Sequence, residues 1–350
     1  LGTARFRLLE RHFPTLGEAW RAQPSELVAA GLEPKLADLV QARRREVDPD
    51  AEMARLERAG VRAINWHDPS YPPRLKEIYD PPPVLYVKGT LLPEDERSVA
   101  VVGTRKATAY GREAASALVA DLCKSGVTIV SGLARGIDSV AHRAALEAGG
   151  RTIGVLGNSL DMVYPPENAG LAREITAQGA LVSEYPLGTR PDSRNFPRRN
   201  RIMSGMTLGT LVVEAGLDSG ALWTVRHALE QDREVFCVPG SIFSPASRGT
   251  NTLIQQGAKL VMSYTDILEE LNLTVVSHQM EMRAVTQPED DTERKLLDHI
   301  THEPVHIDDI GRRSGLPITV VSSTLAMLEL RGLVKQVGGM YYVRTGEVLV

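Results

Sequence analysis

Short apolar runs alternate with amphipathic stretches from residue 98 to residue 271, and this alternation constrains the fold more than any other feature. The runs are apolar along their whole length, as in strands buried on both faces, and the stretches between them have helical spacing. The predicted strands cover residues 98–103, 127–132, 151–157, 180–185, 209–216, 234–240 and 258–263. Such alternation predicts an α/β fold: a Rossmann-like, mostly parallel sheet formed by residues 98–271, with helices on both faces.

Helical and irregular segments flank this region. Residues 1–65 have apolar positions at helical spacing, interrupted by Pro and Gly, which predicts a small domain of the sterile-alpha-motif or helix-hairpin-helix kind. Residues 66–97, with a Pro-rich stretch and a short strand at 84–87, are interpreted as a connector. Residues 272–288 are polar and irregular, so we expect a linker there.

The C-terminal residues 289–350 have the pattern of a winged-helix domain, with three helices and a hairpin that turns on Gly338-Gly339. Its presumed recognition helix, 317–331, has no Lys or Arg before Arg331, and residues 286–350 carry 7 basic against 10 acidic side chains. Direct reading of bases needs Arg, Asn or Gln at such positions. The pattern favours a protein contact or a weak auxiliary role over sequence-specific DNA reading.

Composition excludes several classes of protein. A chain of 350 residues with 43% hydrophobic residues can bury the cores of two or three domains. Cys123 and Cys237 lie in apolar stretches, so we interpret them as reduced core thiols. No apolar run is long enough to cross a membrane and no signal-peptide core is present, so we expect a cytoplasmic protein without membrane contact. The sequence begins at Leu1 without an initiator Met, which fits a start inside a longer natural chain.

The overall charge of −4 hides a basic cluster. Residues 190–201 hold five arginines against Asp192 alone, and a local patch matters more than net charge for a phosphate ligand. Three of these arginines and an asparagine stand at the start of a predicted helix, in the order Arg198, Arg199, Asn200, Arg201. Cations oppose the helix dipole there, which a bound anion would compensate. The alternative is a salt-bridge network with Glu184, Glu214 and their neighbours.

An aromatic residue, Phe196, stands beside this cluster. It could stack on a base, or it could fill the core.

Glycine-rich loops follow most of the predicted strands. Small residues let backbone N–H groups approach an anion, although tight strand-to-helix turns also need glycine for geometry alone. Four such loops at one edge of the sheet, two of them with arginine, favour phosphate binding. The candidate residues in these loops are Gly103, Thr104, Arg105, Ser131, Gly132, Arg135, Ser219, Gly220 and Gly240.

Signs of a cofactor or a catalytic centre are missing. Neither the dinucleotide fingerprint G-x-G-x-x-G nor a P-loop occurs, so we expect no bound NAD or ATP. No grouping of acid, histidine and nucleophile is visible. Five carboxylates near strand ends could in principle bind Mg²⁺, and one of them, Asp138, is more simply explained as a helix N-cap. We expect no metal and no enzymatic activity; the five are Asp138, Asp161, Glu167, Glu184 and Glu214.

Several long motifs in a fixed order resemble the DNA-processing protein A family, also called DprA or Smf. They are VAVVGTRKAT, IVSGLARGIDSVAH, YPPEN, SEYPLGT, FPRRNRI, VVEAGLDSGALWT and VPGSI followed by GTN. The resemblance covers nearly the whole chain. It implies a bacterial protein that binds single-stranded DNA, protects incoming DNA in natural transformation, loads the RecA recombinase and forms a homodimer through the Rossmann-like domain. It also implies that Arg105 contacts phosphate and that Arg198, Arg199 and Arg201 belong to the basic DNA-binding motif.

Two other classes stay open. The lysine-decarboxylase-like phosphoribohydrolases share this type of sheet and carry Pro-Gly-Gly-x-Gly-Thr-x-x-Glu. In residues 204–214 the Gly-Thr pair and Glu214 are present but Pro-Gly-Gly is not, which disfavours that enzyme class. The interpretation as a regulator that binds double-stranded DNA depends on the winged-helix domain alone. The negative net charge of that domain disfavours this interpretation.

Overall fold

The computed structural model describes residues 2–273, 291–301, 304–330 and 333–344. The chain divides into two compact units, Leu1–Leu271 and Asn272–Val350. The linker expected over 272–288 lies outside the described residues from position 274 onward. No helix in the described ranges is both long enough and apolar enough to cross a membrane. The two cysteines are free and buried, as expected from their apolar surroundings.

A nine-stranded sheet forms the centre of the first unit, with the strand order β1-β2-β6-β5-β4-β3-β7-β8-β9. The strands are β1 (Arg62–Asn65), β2 (Val84–Gly89), β3 (Ser98–Val102), β4 (Thr128–Ser131), β5 (Thr152–Leu156), β6 (Ala180–Ser183), β7 (Gly209–Val212), β8 (Glu234–Cys237) and β9 (Lys259–Leu260). All pairs from β6 to β9 are parallel, whereas β1 and β2 add two antiparallel strands at one end. The predicted α/β class and the mostly parallel Rossmann-like sheet are confirmed.

Thirteen α-helices accompany this sheet in the described part of the first unit. They are α1 (Thr3–His12), α2 (Leu16–Arg21), α3 (Pro24–Ala29), α4 (Pro34–Arg44), α5 (Pro49–Arg58), α6 (Pro73–Glu77), α7 (Ala109–Lys124), α8 (Ile137–Glu147), α9 (Ala169–Gln178), α10 (Asn195–Gly205), α11 (Ala221–Glu230), α12 (Arg248–Gln255) and α13 (Tyr264–Glu270). The first four share a small core of their own around Leu9, Leu27 and Ala37.

Helices cover both faces of the sheet, as β6 demonstrates. Successive residues of a strand point to opposite faces. Leu181 packs in one apolar cluster with Ile175 of α9, whereas Val182 packs in another with Ile202 and Met203 of α10. The strand is therefore buried on both sides, which explains why its sequence is continuously apolar.

The strand order reverses direction at β3. The chain runs from β3 outward through β4, β5 and β6, and then returns to add β7 on the other side of β3, where Val102 lies opposite Val212. The loops after β3 and β7 consequently diverge on opposite faces of the sheet and leave a crevice between them. Ligands of open α/β sheets bind in such a crevice, outside the carboxyl ends of the strands.

The second unit has the elements of a winged-helix domain. Its helices are α14 (Asp291–Leu297), α15 (Ile307–Ser314) and α16 (Ile318–Leu330), and its strands are β10 (Val305–His306), β11 (Val334–Gln336) and β12 (Tyr341–Arg344). Strands β11 and β12 form the predicted hairpin, and both turn glycines, Gly338 and Gly339, have positive φ. A separate apolar core that includes Leu296, Ile310 and Leu325 holds this unit together.

Candidate nucleic-acid interface

A cavity of about 1110 Å³ occupies the crevice at the carboxyl ends of β3 and β7. Its walls come from the loops after these two strands, from α10, and from the first residues of α11 and α12. Eight of the fourteen candidate residues line it: Gly103, Thr104, Arg105, Phe196, Arg199, Asn200, Ser219 and Gly220. A smaller recess beside it adds Gly132 and Arg135 to the lining. The sheet thus brings together four segments that are far apart in sequence.

Positive charge dominates the cavity wall. Arg105, Lys106 and Arg248 are exposed there, and none of them makes a side-chain hydrogen bond or an ion pair with another described residue. A fourth cation, Arg199, lines the cavity from a buried position. The wall has two carboxylates in the described ranges, Asp138 and Asp218. The three unpaired cations are available to a ligand with several negative charges.

Phe196 stands at the junction of the cavity and the smaller recess. Its ring stacks on Tyr164, with centroids 5.6 Å apart and planes inclined by 30°. The guanidinium carbon of Arg105 lies 5.9 Å from the centroid of the Phe196 ring. Phe196 is therefore a partly exposed member of an aromatic–cation group and not a plug of the apolar core.

Arg199 is anchored by the ends of two strands. Its Nη1 donates to the carbonyl oxygen of Gly132 at 2.8 Å and to that of Val155, and its Nε donates to Asn200 Oδ1 at 3.1 Å. Only 4% of Arg199 is exposed. Burial lowers the pKa of this guanidinium to about 10, so it stays charged at neutral pH. Arg199 ties α10 to the ends of β4 and β5 and presents a fixed charge to the cavity.

Asp138 is buried beside Arg199. Its Oδ2 accepts from the backbone N–H groups of Gly132 at 3.1 Å and Ala134 at 3.4 Å. Burial raises the pKa of this carboxyl, while the charges of Arg199 and Arg105 act in the opposite direction. The interpretation of Asp138 as the N-cap was wrong, because Gly136 occupies that position and Asp138 lies in the first turn of α8. The carboxylate instead holds the loop after β4 in place.

Arg201, which the resemblance assigns to the basic DNA-binding motif, does not line the cavity. Its Nη1 and Nη2 donate to the two carboxylate oxygens of Glu184 at 2.7 and 2.8 Å, and its Nε lies 3.3 Å from Asp80 Oδ2. Its charge is thus already neutralised by protein groups, so the salt-bridge alternative holds for this residue. Glu214 is not a partner in that network.

Arg198 is exposed on the same helix and does not line the cavity. Its Nε lies 3.8 Å from Glu184 Oε1, a long contact that leaves the guanidinium open to water.

Three further candidate residues lie outside the main cavity. Ser131 is fully buried, and its hydroxyl donates to the carbonyl of Val101 at 2.6 Å. Gly240 exchanges backbone hydrogen bonds with the Asn251 side chain, outside the cavity lining. Arg135 is ion-paired with Glu167.

Packing explains most of the loop glycines. A Cβ at Gly103 would collide with Ile137, and Gly136 has a φ of +77° with no room for a side chain beside the backbone of Thr104 and Arg105. These contacts seat the loop after β4 against the loop after β3. In contrast, a Cβ at Gly220 would meet nothing within 4 Å. The geometric explanation of glycine therefore applies to Gly103 and Gly136 and not to Gly220.

Several cavity residues were not recognised from the sequence. Lys106 adjoins the Gly-Thr-Arg loop, and Tyr164 belongs to the YPPEN motif. The neighbouring motif is therefore a sequence signal for each of these two residues. Trp223 and Arg248 line the cavity because α11 and α12 begin beside it. Their positions depend on the pairing of β3 with β7, which the sequence pattern alone does not specify.

Each of the five carboxylates considered for catalysis has a partner within the described protein: Asp138 the Gly132 N–H, Asp161 the Gly188 N–H, Glu167 Arg135, Glu184 Arg201 and Glu214 Thr108. Glu214 is 1% exposed and accepts from the Thr108 hydroxyl at 2.6 Å and from its N–H at 2.9 Å. It caps the start of α7 and does not line the cavity. No group of three or more metal-ligating side chains occurs among the residues that the structure describes.

The fold and the cavity define a Rossmann-like α/β protein with a cationic, aromatic cavity at the switch point of its sheet. Family comparison makes this class specific. The model of the DNA recombination-mediator protein A family matches residues 62–272, and that of the DprA winged helix domain matches residues 280–340. The chain belongs to the DNA recombination-mediator protein A family, and the resemblance found in the motifs is confirmed.

Individual relatives agree with this assignment. Protein Smf of Escherichia coli is 41% identical over 338 residues, which are 92% of this chain and 89% of the relative. DNA processing protein DprA of Bacillus subtilis is 43% identical over 262 residues, covering 72% of this chain and 88% of the relative. The solved structure of DNA processing protein A from Streptococcus pneumoniae matches with a TM-score of 0.63 at 38% identity, covering 71% of this chain and 86% of that chain.

DNA processing protein A from Helicobacter pylori, whose structure was described for its single-stranded DNA binding mode, matches with a TM-score of 0.55 and 30% identity. The match covers 60% of this chain and 95% of that one.

Proposed function

We propose that the cavity between the loops after β3 and β7 binds single-stranded DNA. The observation that carries this proposal is the group formed by Phe196, Tyr164 and Arg105, which places a stackable ring beside an unpaired guanidinium. Sequence-tolerant binding of single strands combines aromatic stacking with cationic contacts to the backbone. The single-stranded DNA binding described for the Helicobacter pylori relative supports the same ligand.

Each part of the cavity has a role in this proposal. Arg105, Lys106 and Arg248 contact phosphates, because they are exposed and have no partner among the described side chains. Arg199 adds a fixed charge at the cavity wall, and Phe196 stacks on a base. Gly103, Thr104, Asn200, Ser219 and Gly220 complete the lining. Arg198 and Arg135 lie outside the main cavity and serve as peripheral cations, while Arg201 supports the fold.

The wider role follows from the family. We propose that the chain protects incoming single-stranded DNA and loads the RecA recombinase onto it in the cytoplasm, as a homodimer formed through the Rossmann-like domain. Membership of the DNA recombination-mediator protein A family supports this role. Faster assembly of RecA filaments on single-stranded DNA in the presence of the chain is the expected result.

We further propose that the chain acts without a catalytic step or a cofactor. Glu214, the residue that a phosphoribohydrolase would use, is buried against Thr108 and outside the cavity, which disfavours that alternative. Incubation with nucleoside monophosphates should give no turnover. Steady hydrolysis that disappears in Glu214→Gln would contradict this part of the proposal.

The DNA-binding proposal is tested by fluorescence anisotropy with a short oligothymidylate. Phe196→Leu keeps an apolar side chain but removes the stacking surface, and it should weaken binding by about 1–3 kcal/mol, or roughly 5- to 150-fold. Phe243→Leu is the matched control, because Phe243 is an 86% exposed ring outside the cavity lining. Equal affinity of the wild type and Phe196→Leu would contradict the proposed site.

A further inference from the structure

Asp218 is the cavity carboxylate without a structural partner. Of the two carboxylates in the described wall, Asp138 is buried and bonded to backbone amides, whereas Asp218 is exposed and makes no hydrogen bond or ion pair with any described residue. It does not cap the adjacent helix either: Gly220 is the N-cap of α11, and the Ala221 amide donates to the Ser219 hydroxyl at 3.3 Å. The carboxylate therefore has no side-chain partner in the part of the chain that the structure describes.

A phosphate cannot be the partner of this carboxylate, because like charges repel. A cavity that serves only the DNA backbone would gain affinity from a neutral or basic residue at this position. The remaining groups of a bound strand are the base edges, which offer N–H donors. Phosphate contacts position a strand, whereas base contacts specify its sequence.

Among the four bases, guanine fits a carboxylate best. Its N1–H and N2 amino group are adjacent donors on the edge that pairs in a duplex, so they can donate in parallel to both carboxylate oxygens. Cytosine and adenine present one amino donor next to a ring-nitrogen acceptor, and thymine presents one N–H between two carbonyl oxygens. In each of these three, an acceptor would face the carboxylate.

We propose that Asp218 reads guanine, so that the cavity holds one guanine of a single strand in preference to other bases. This inference rests on the proposed DNA-binding function of the cavity. The loops with Arg105 and Asp218 follow two adjacent strands, β3 and β7, so one nucleotide can bring its phosphate to one loop and its base edge to the other. Binding then has two components. Contacts to the DNA phosphate backbone are common to all sequences, and the contact to one base gives a preference at that position.

The test uses oligothymidylates of equal length with a single replacement by guanine, hypoxanthine, cytosine or adenine, which also avoids guanine quadruplexes. The wild type should bind the guanine oligonucleotide at least about fivefold more tightly than the all-thymine one. Hypoxanthine lacks the N2 amino group, so much of the gain should be lost with it. Asp218→Ala should bind all oligonucleotides alike, and the all-thymine one more tightly than the wild type does.

Asp192→Asn is the control, because it removes the same charge beside the cavity from a carboxylate that is already paired with Arg194. It should leave the guanine preference intact. Two results would overturn the inference and leave the proposed function standing. One is equal affinity of the wild-type protein for all the oligonucleotides, and the other is a guanine preference that survives in Asp218→Ala. Failure of the wild type to bind any of the oligonucleotides would overturn the proposed function itself.

Discussion

The guanidinium of Arg199 lies directly over Gly132. Its Nη1 donates to the Gly132 carbonyl at 2.8 Å, and a Cβ at position 132 would overlap the guanidinium nitrogens. Gly132 is therefore a packing partner of Arg199, and its N–H donates to Asp138 Oδ2 at 3.1 Å. The basic motif of α10 thus contains arginines that are bonded to protein groups as well as arginines that are open to a ligand.

Arg105 is the available cation with the clearest relation to a ligand. Replacing it by Ala should lower the affinity for single-stranded DNA and flatten the plot of log affinity against log salt by about 0.7, the value for one phosphate contact. The melting temperature should not change, because Arg105 makes no hydrogen bond or ion pair in the described structure. Arg143→Ala is a matched control, since Arg143 is exposed on α8 and does not line the cavity. An Arg105 variant with the wild-type slope would contradict the assignment.

Arg201 should instead prove to be a stability residue. Arg201→Ala leaves the carboxylate of Glu184 without its principal cation in a site where the Arg201 and Glu184 side chains are 7% and 10% exposed. Breaking a buried pair costs about 3–5 kcal/mol, which urea unfolding would detect as a lower midpoint.

Arg194→Ala is the control for the loss of stability expected in Arg201→Ala. Its ion pair with Asp192 lies at the surface, where the arginine is 87% exposed, so Arg194→Ala should leave the unfolding midpoint almost unchanged. A stable Arg201→Ala protein that has lost DNA binding would show that Arg201 acts on DNA directly.

Acid should destabilise the fold through His142. Its Nδ1 lies 2.7 Å from the Thr152 hydroxyl, which itself donates to the carbonyl of Ile129 at 2.8 Å. Because that hydroxyl is already a donor, it accepts from Nδ1, which therefore carries a proton. Burial, helped by the charge of Arg199, lowers the pKa of His142 to about 3 from an ordinary 6.5.

Between these two values the unfolded chain binds a proton that the folded chain does not, so stability falls as pH drops below about 6.5. The loss from this group should reach roughly 2 kcal/mol at pH 5. His142→Asn, which keeps a donor near Nδ1 but does not titrate, should reduce the dependence of unfolding free energy on pH by about one proton. Identical slopes for the two proteins between pH 7 and 5 would contradict this prediction.

Removal of residues 286–350 should preserve single-strand binding. These residues carry a net charge of −3 and belong to a compact unit of their own. The shortened chain should keep its affinity within about tenfold, or 1.4 kcal/mol. Circular dichroism provides the folding control. A larger loss in a folded protein would make the winged helix a primary binding site.

The sequence predicts the sheet well and the site only in part. Continuous apolar runs at 152–156 and 180–183 identify strands because both of their faces are buried, and the glycine loops mark where those strands end. The sequence does not tell which arginine of the Phe196–Ile202 segment meets a carboxylate. That outcome depends on Glu184 and Asp80, which approach α10 from distant parts of the chain. Asp218 escapes sequence reasoning for the same reason, since its cavity exists only where β7 pairs with β3.

The pairing of β3 with β7 also sets an order of events during synthesis. Residues 99–102 align with residues 209–212, more than a hundred positions later in the chain. Domains begin to fold as they emerge from the ribosome, at about 5–20 residues per second. A nascent chain thus exposes Arg105 well before the opposite wall of its cavity has been made. The cavity wall is complete only once the first residue of α12 has been translated, more than a hundred residues after Arg105.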